Sequence, residues 1–308
     1  MRNGWIPATA LWVLLVPGAA RAQVVNPADA QRPETPPDTA ATTAETRKDA
    51  SDFERLRSWE LPPVTVVGEP LPELREEERI GSYEQPRWTA ARRFPGTRVY
   101  VIPEGKTDFE VWYRPTFNKD GTTDVRTLWE LEFGLPYRFQ LDLYFRTDQT
   151  GDESEWLIGQ QVELRWALAD WDVIWGNPTL YFEWVALEQR PDKIEPKLLF
   201  GGEIAPRWHW GSNLVAELEL GGEREYEYQW TVGVSYSIID YKLAAGIETI
   251  LQFTDTEEDR GNMTESFLIG PSFQFKPSPP ATLNVAPLIG IGGNSPDARI
   301  YVNFGWEF

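Results

Sequence analysis

The chain of 308 residues contains no cysteine, one histidine and two methionines. Without thiols there are no disulfides, no thiolate metal ligands and no cysteine nucleophile, so a small disulfide-stapled secreted fold is excluded. The single histidine confines any Ser-His-Asp arrangement to His209, which lies between Trp208 and Trp210 in a segment that reads as a tight periplasmic turn. An interfacial turn residue explains it without chemistry. Basic residues are also scarce: 29 Lys and Arg stand against 48 Asp and Glu, a formal charge of −19. Phosphate backbones bind to basic surfaces, so a nucleic-acid partner is excluded. Long apolar runs are missing as well, and none reaches the ~20 residues of a spanning helix. A membrane form of this protein must cross with strands.

Aromatics are abundant, with 15 Trp, 15 Phe and 11 Tyr. Such an excess suits the aromatic girdles at a membrane interface. The first residues carry Arg2, an apolar stretch from Ala8 to Ala19 and the small-residue ending Ala20-Arg21-Ala22. These are the three parts of a secretory signal peptide, expected over residues 1–22. Residues 23–106 follow as a largely disordered periplasmic arm rich in Pro and acids, because most of the stretch holds too few bulky apolar side chains to order itself.

From residue 107 to 308 the pattern turns to alternation with period two. It predicts strands over 107–117, 125–134, 138–146, 156–168, 178–189, 197–207, 213–221, 226–238, 241–253, 263–275, 281–291 and 299–308. The connections sort into two classes that take turns. Polar, mostly acidic loops such as FNKDGTTD and TDQTGDESE alternate with short or aromatic turns such as LPY and IDY. Outer-membrane barrels have this asymmetry, with longer outer loops and tight periplasmic turns. The expected fold is therefore an all-β, antiparallel, up-and-down transmembrane barrel of about twelve strands, with ten to fourteen open, embedded in outer-membrane lipid and with both termini periplasmic.

Alternation places Phe139, Leu141, Leu143 and Phe145 toward lipid on one strand, and Tyr228, Trp230, Val232, Val234 and Tyr236 on another. The opposite parity fills the lumen with charge. On the first half of the barrel the permeation candidates are Glu130, Glu132, Arg138, Glu163 and Arg165. On the second half they are Glu183, Glu203, Arg207, Glu217, Glu219 and Glu248. These side chains either line a narrow wet passage or fill the lumen as ion pairs. Carboxylates outnumber the bases, so a conducting lumen should favour cations. Pairs such as Glu130 and Glu132 carry no catalytic information, since their spacing follows from the alternation itself. Acidic loops such as Asp255 to Asp259 lack the spacing of a calcium loop. No enzyme activity, cofactor or metal site is expected, and a hydrolase is the weakest of the readings.

Three short segments carry resemblances. Pro62-Pro63-Val64-Thr65-Val66-Val67-Gly68-Glu69 resembles a TonB box, the peptide that adds a strand to the energy-transducing partner. It implies a TonB-like periplasmic partner through Val64, Thr65, Val66 and Val67, although the large plug domain of those receptors has no room here. The hairpin with Glu130, Glu132, Gly134, Leu135, Arg138 and Gln140 is similar to those of an outer-membrane transporter family labelled with the phenol-degradation meta pathway. The final strand, with Phe304, Trp306 and Phe308, resembles the C-terminal signature read by the barrel assembly machinery. Together they imply a channel or transporter for small solutes. A non-conducting anchor or scaffold whose arm binds periplasmic partners is the competing reading.

Overall fold

The computed structural model describes residues 74–151, 155–222 and 224–308. The expected signal peptide and the TonB-box-like segment lie outside them. Two short strands come first, β1 (Arg79–Ile80) and β2 (Gln85–Pro86), paired with each other. Twelve longer strands follow: β3 (Thr107–Phe117), β4 (Thr123–Leu135), β5 (Phe139–Gln149), β6 (Leu157–Ala167), β7 (Thr179–Leu187), β8 (Lys193–Ala205), β9 (Trp208–Glu219), β10 (Tyr226–Ile239), β11 (Leu243–Asp255), β12 (Thr264–Ser278), β13 (Ala281–Ile291) and β14 (Ala298–Glu307).

Each strand of the twelve pairs antiparallel with its sequence neighbours, and β14 returns to β3 to close a barrel. Closure matches Phe304 with Val111 and Trp306 with Phe109, and the Phe308 amide donates to the Thr107 carbonyl at 2.9 Å. A closed barrel has no unpaired edge strand, so its wall can pair its backbone groups within the sheet and without water. The chain end is thus tied to the strand that starts the barrel.

Side-chain alternation is plainest on β6, where buried and exposed residues exchange at every step. Gln161, Glu163 and Arg165 face inward, while Ile158, Val162, Leu164 and Trp166 are exposed on the outer surface. Trp129, Phe145, Phe182, Trp184 and Trp230 extend that outer apolar face around the barrel. A continuous exposed surface of this kind is stable against lipid and not against water. Phe304, Trp306 and Phe308 belong to the same face.

One rim carries the connections 118–122, 150–156, 188–192, 220–225, 256–263 and 292–297, and is called the loop rim. The other carries 136–138, 168–178, 206–207, 240–242 and 279–280 together with the start of β3 and the chain end, and is called the turn rim.

Two expectations are corrected. The sixth and seventh barrel strands begin and end earlier than the alternation suggested, because the chain reverses at Pro206-Arg207, with Arg207 at φ 69°. The segment His209 to Ser212, read as a turn, is wall strand in β9. The second correction concerns residues 74–106, assigned above to the arm. They are folded, and they run inside the barrel. Tyr83, Trp88, Phe94, Val99, Tyr100 and Val101 form a buried cluster with Ala167 and Trp171. The Trp171 ring meets Trp88 edge-on at 5.8 Å and Tyr100 at 5.1 Å. These bulky residues, concentrated in the last third of the supposed arm, supply the apolar burial that its Pro- and acid-rich beginning lacks.

Candidate functional site

The inner segment starts at the turn rim, where the Arg75 and Glu76 amides donate to the Asp240 carboxylate at 2.9 and 3.1 Å. The Tyr83 hydroxyl holds the β4–β5 turn by donating to the Leu135 carbonyl at 2.8 Å and accepting from the Arg138 amide at 2.9 Å. From there the chain rises into the barrel, turns near Pro95-Gly96, and returns to the same rim to begin β3. It is a plug that occupies the half of the lumen next to the turns.

A row of glycines in the wall makes room for it. Gly201, Gly211 and Gly233 are register partners across β8, β9 and β10. The absence of side chains leaves a flat strip against which Val99 and Phe94 lie. A Cβ added at Gly233 would stand 2.7 Å from the Phe94 ring, and one at Gly211 would stand 3.0 Å from Val99 Cγ2. Glycine is required here by the close approach of another chain segment.

Polar contacts complete the fit. Arg92 donates from Nε to Glu110 Oε2 at 2.8 Å, reaches Glu130 at 3.4 Å, and stacks over the Trp112 ring at 4.1 Å. Arg98 bridges Glu130, at 2.9 Å, and Glu132. Its backbone exchanges hydrogen bonds with the Asn213 amide, at 2.8 and 2.6 Å. Arg93 donates to Ser235 at 2.9 Å, to Gln274 at 3.0 Å and to His209 Nδ1 at 2.8 Å. At the tip, the Gly96 amide donates to Glu248 at 2.7 Å. Burial lowers the pKa of the Arg93 guanidinium to about 10, with Glu76 opposing the shift. Arg98 is desolvated too, yet Glu132, Glu110 and Glu130 together outweigh burial and hold it well above the usual arginine range.

Above the tip lies a cavity of about 720 Å³, open toward the loop rim and lined mostly by charged and hydroxyl-bearing side chains. Its floor is Arg92, Pro95, Gly96 and Arg98, so the plug stops it from below. Of the permeation candidates, Glu130, Glu163, Arg165, Glu183 and Glu217 border this vestibule. Glu132, Glu203 and Glu248 sit in the plug's own contacts: Glu132 with Arg98, Glu203 accepting from Trp88 Nε1 at 3.1 Å, and Glu248 with Gly96. Arg138 and Arg207, placed on strands by the alternation, are turn residues at φ 65° and 69°. Arg138 bonds Asp170 at 3.0 Å, and Arg207 donates to the Ser237 carbonyl at 3.0 Å. Glu219 ends β9 at the loop rim, accepting from the Glu225 amide at 3.4 Å.

Most vestibule charges are answered. Arg165 pairs with Asp142 at 2.8 Å and with Glu163, while Tyr181 donates to Glu163 at 2.6 Å. Lys197 bridges Glu183 and Glu195 at 3.1 and 2.8 Å, and Lys193 pairs with Glu217 at 2.6 Å. Glu110, Glu130 and Glu132 bring carboxylate oxygens within 4.8 Å of one another, as a cation site would. The cations that hold them are Arg92 and Arg98. His209 is buried in β9, accepts from Arg93 and lies 4.5 Å from the Trp88 ring. With a guanidinium at Nδ1, it has no carboxylate there to orient it for catalysis. Sequence reasoning missed Arg92, Arg93 and Arg98, and with them the plug. Their clustering in Ala91-Arg92-Arg93-Phe94-Pro95-Gly96-Thr97-Arg98, within an acidic chain, was the available signal.

No family model matches the chain, and no curated protein matches its sequence. Solved structures do share its fold. An outer membrane channel from Pseudomonas putida F1 is 12% identical over 68% of this chain and 98% of its own, with a TM-score of 0.50. The NanC porin is 13% identical over 65% and 98%, with a TM-score of 0.47. The KdgM porin, seen with disordered oligogalacturonate, is 12% identical over 65% and 99%, with the same TM-score. At 12% identity the likeness to the Pseudomonas putida channel is one of fold alone.

Proposed function

We propose that this protein is an outer-membrane channel for small polar solutes, entered from the loop rim and closed from the turn rim by its own residues 74–106. The observation that carries this reading is the charged vestibule of about 720 Å³ ending on the plug tip. Its volume suits a small molecule. Its lining of arginines, lysines and carboxylates suits hydrated, polar cargo, which is why the solute class is taken from the lining and not from the hairpin resemblance to the meta-pathway transporters. In this reading the loop rim faces outward and both termini lie in the periplasm, as an even strand count requires. The aromatic end at Phe308 serves the assembly machinery.

The plug also favours a second reading, in which the barrel stays shut until a periplasmic partner pulls on the chain preceding residue 74. A TonB-like protein engaging Val64 to Val67 would be that partner, and Val66→Pro, which deletes a strand hydrogen bond, should abolish cross-linking to it. Planar bilayer recording separates the readings. Discrete conductance steps from the purified protein, increased by Arg98→Gln, support the channel. Silence from both the native protein and the Arg98→Gln variant refutes spontaneous conduction and leaves the anchored or pulled barrel.

A further inference from the structure

One stretch of the vestibule wall carries more positive charge than its neighbours answer, in a chain whose net charge is −19. Arg114 on β3 and Arg126 on β4 are cross-strand partners that both border the cavity. Arg299 on β14 completes an arc, since it stands opposite Thr116 of β3 and donates to that hydroxyl from Nε at 3.2 Å. Arg126 is bound by Asp148, with Nε to Oδ1 at 3.0 Å. That carboxylate is already shared with Arg146, whose Nη2 lies 2.5 Å from Oδ2. Arg299 makes no ion pair among the described residues.

Arg114 makes neither an ion pair nor a hydrogen bond among the described residues. Its Nε is buried and unpartnered, and its guanidinium lies 5.8 Å from the centre of the Tyr301 ring. The titratable groups acting on it are Arg126, Tyr301, Arg299 and Arg146; the three arginines repel it and only the Tyr301 phenol opposes them. Asp124, opposite Thr116, accepts from Asn118 at 3.0 Å and from the Gly151 amide at 2.7 Å, and pairs with none of the arginines. Glu217 and Glu195 also act on Arg126, but they form ion pairs with Lys193 and Lys197 and none with the three arginines. Like charges gathered on a half-buried concave wall repel, and a guanidinium denied an acceptor loses its hydration without compensation. An oxyanion relieves both costs, because its oxygens match the fork of guanidinium donors.

We infer that Arg114, Arg126 and Arg299 form a binding site for a small oxyanion, the carboxylate or phosphate group of a solute that enters from the loop rim. The solute's role as cargo rests on the channel reading; the binding itself does not. Calorimetric titration of the mature protein in detergent at low ionic strength tests it, with succinate in one arm and inorganic phosphate in the other. Saturable binding in the succinate arm alone assigns carboxylates, and binding in both arms assigns oxyanions in general. The Arg114→Gln/Arg299→Gln double variant should weaken binding at least tenfold, while Lys106→Gln, at the turn rim, leaves it unchanged. Because Arg114→Gln removes an unanswered charge, that variant should melt at or above the native temperature, which separates loss of the site from misfolding. Absence of saturable heat in both arms, or equal affinity in the double variant, overturns the site. Bilayer silence from both the native protein and the Arg98→Gln variant, with succinate still bound, removes the channel reading and keeps the site; conductance without binding does the reverse.

Discussion

Arg98→Gln should loosen the plug without dismantling the barrel. Arg98 is the guanidinium that Glu130 and Glu132 share, with a side chain only 12% exposed. Removing one partner of a buried pair costs about 3–5 kcal/mol, mostly because the other charge stays buried and unanswered. Arg92 still lies 3.4 Å from Glu130 and 3.7 Å from Glu132, so the lower end applies. A loss of about 3 kcal/mol shifts the docked-to-released equilibrium of the plug on the order of 10²-fold. The absence of native cysteine permits a direct assay. Thr97 is buried, with its hydroxyl 3.0 Å from that of Thr231, so a Thr97→Cys thiol is shielded until the plug moves. Its maleimide labelling rate in the folded protein should rise about 10²-fold when Arg98→Gln is added, in proportion to the released population. Adding Glu132→Gln should bring the rate part of the way back by removing the stranded charge. A labelling rate that stays within about threefold of the Thr97→Cys parent, in a barrel that still shifts on heating in gels, would refute the claim that these ion pairs hold the plug; the threshold corresponds to less than ~1 kcal/mol.

Gly233→Val should release the plug by a different route, since its Cβ would meet the Phe94 ring at 2.7 Å; the Thr97→Cys label should again react faster while the wall remains assembled. Phe308→Asp should reduce the heat-modifiable fraction in membranes, because it puts a charge on the outward face of the closing strand, and normal assembly of this variant would show the terminal aromatic to be dispensable. If the barrel conducts, replacing Glu195, Glu217 and Glu227 by Gln should move the reversal potential in a salt gradient further than replacing Glu132, Glu163 and Glu203. All three of the first set border the vestibule, and Glu227 makes no ion pair among the described residues, although Lys197 and Lys193 answer Glu195 and Glu217; of the second set only Glu163 borders it, while Glu132 and Glu203 are held by the plug. An equal or opposite ranking counts against that division.

The barrel was legible because one face of each strand meets lipid and the other meets charge, which writes a period of two into the sequence. On β5 and β10 the outward residues are those the alternation named. The reading slipped where that contrast failed. Gly211 and Ser212 look like turn residues because they are small, yet Gly211 is small because Val99 lies against it. A residue shaped by a distant segment carries no local mark of that segment. The plug was missed for the same reason. Its arginines lie in the stretch assigned to the arm, and their partners Glu130 and Glu132 read as lumen lining, since nothing in a one-dimensional pattern shows that two charged stretches face each other. Of the permeation candidates, the structure puts Glu130, Glu163, Arg165, Glu183 and Glu217 on the cavity wall, whereas Arg138 and Arg207 lie in turns, where period two no longer applies.

The plug leads without a break into the wall it blocks. Gly105 and Gly134 are joined by a 2.9 Å hydrogen bond from the Gly105 amide, and the Gly134 amide returns one to Lys106 at 2.9 Å, so the junction is fastened to β4 on both sides of the ladder. A blocker attached in this way never dilutes. Its local concentration stays in the millimolar range that short tethers impose, whatever the state of the medium. In the channel reading, a solute in the vestibule would compete with a resident that re-forms its contacts without a second collision, and release of the plug would be a unimolecular event. Traffic through such a barrel would be metered by the lifetime of that event more than by the width of the lumen.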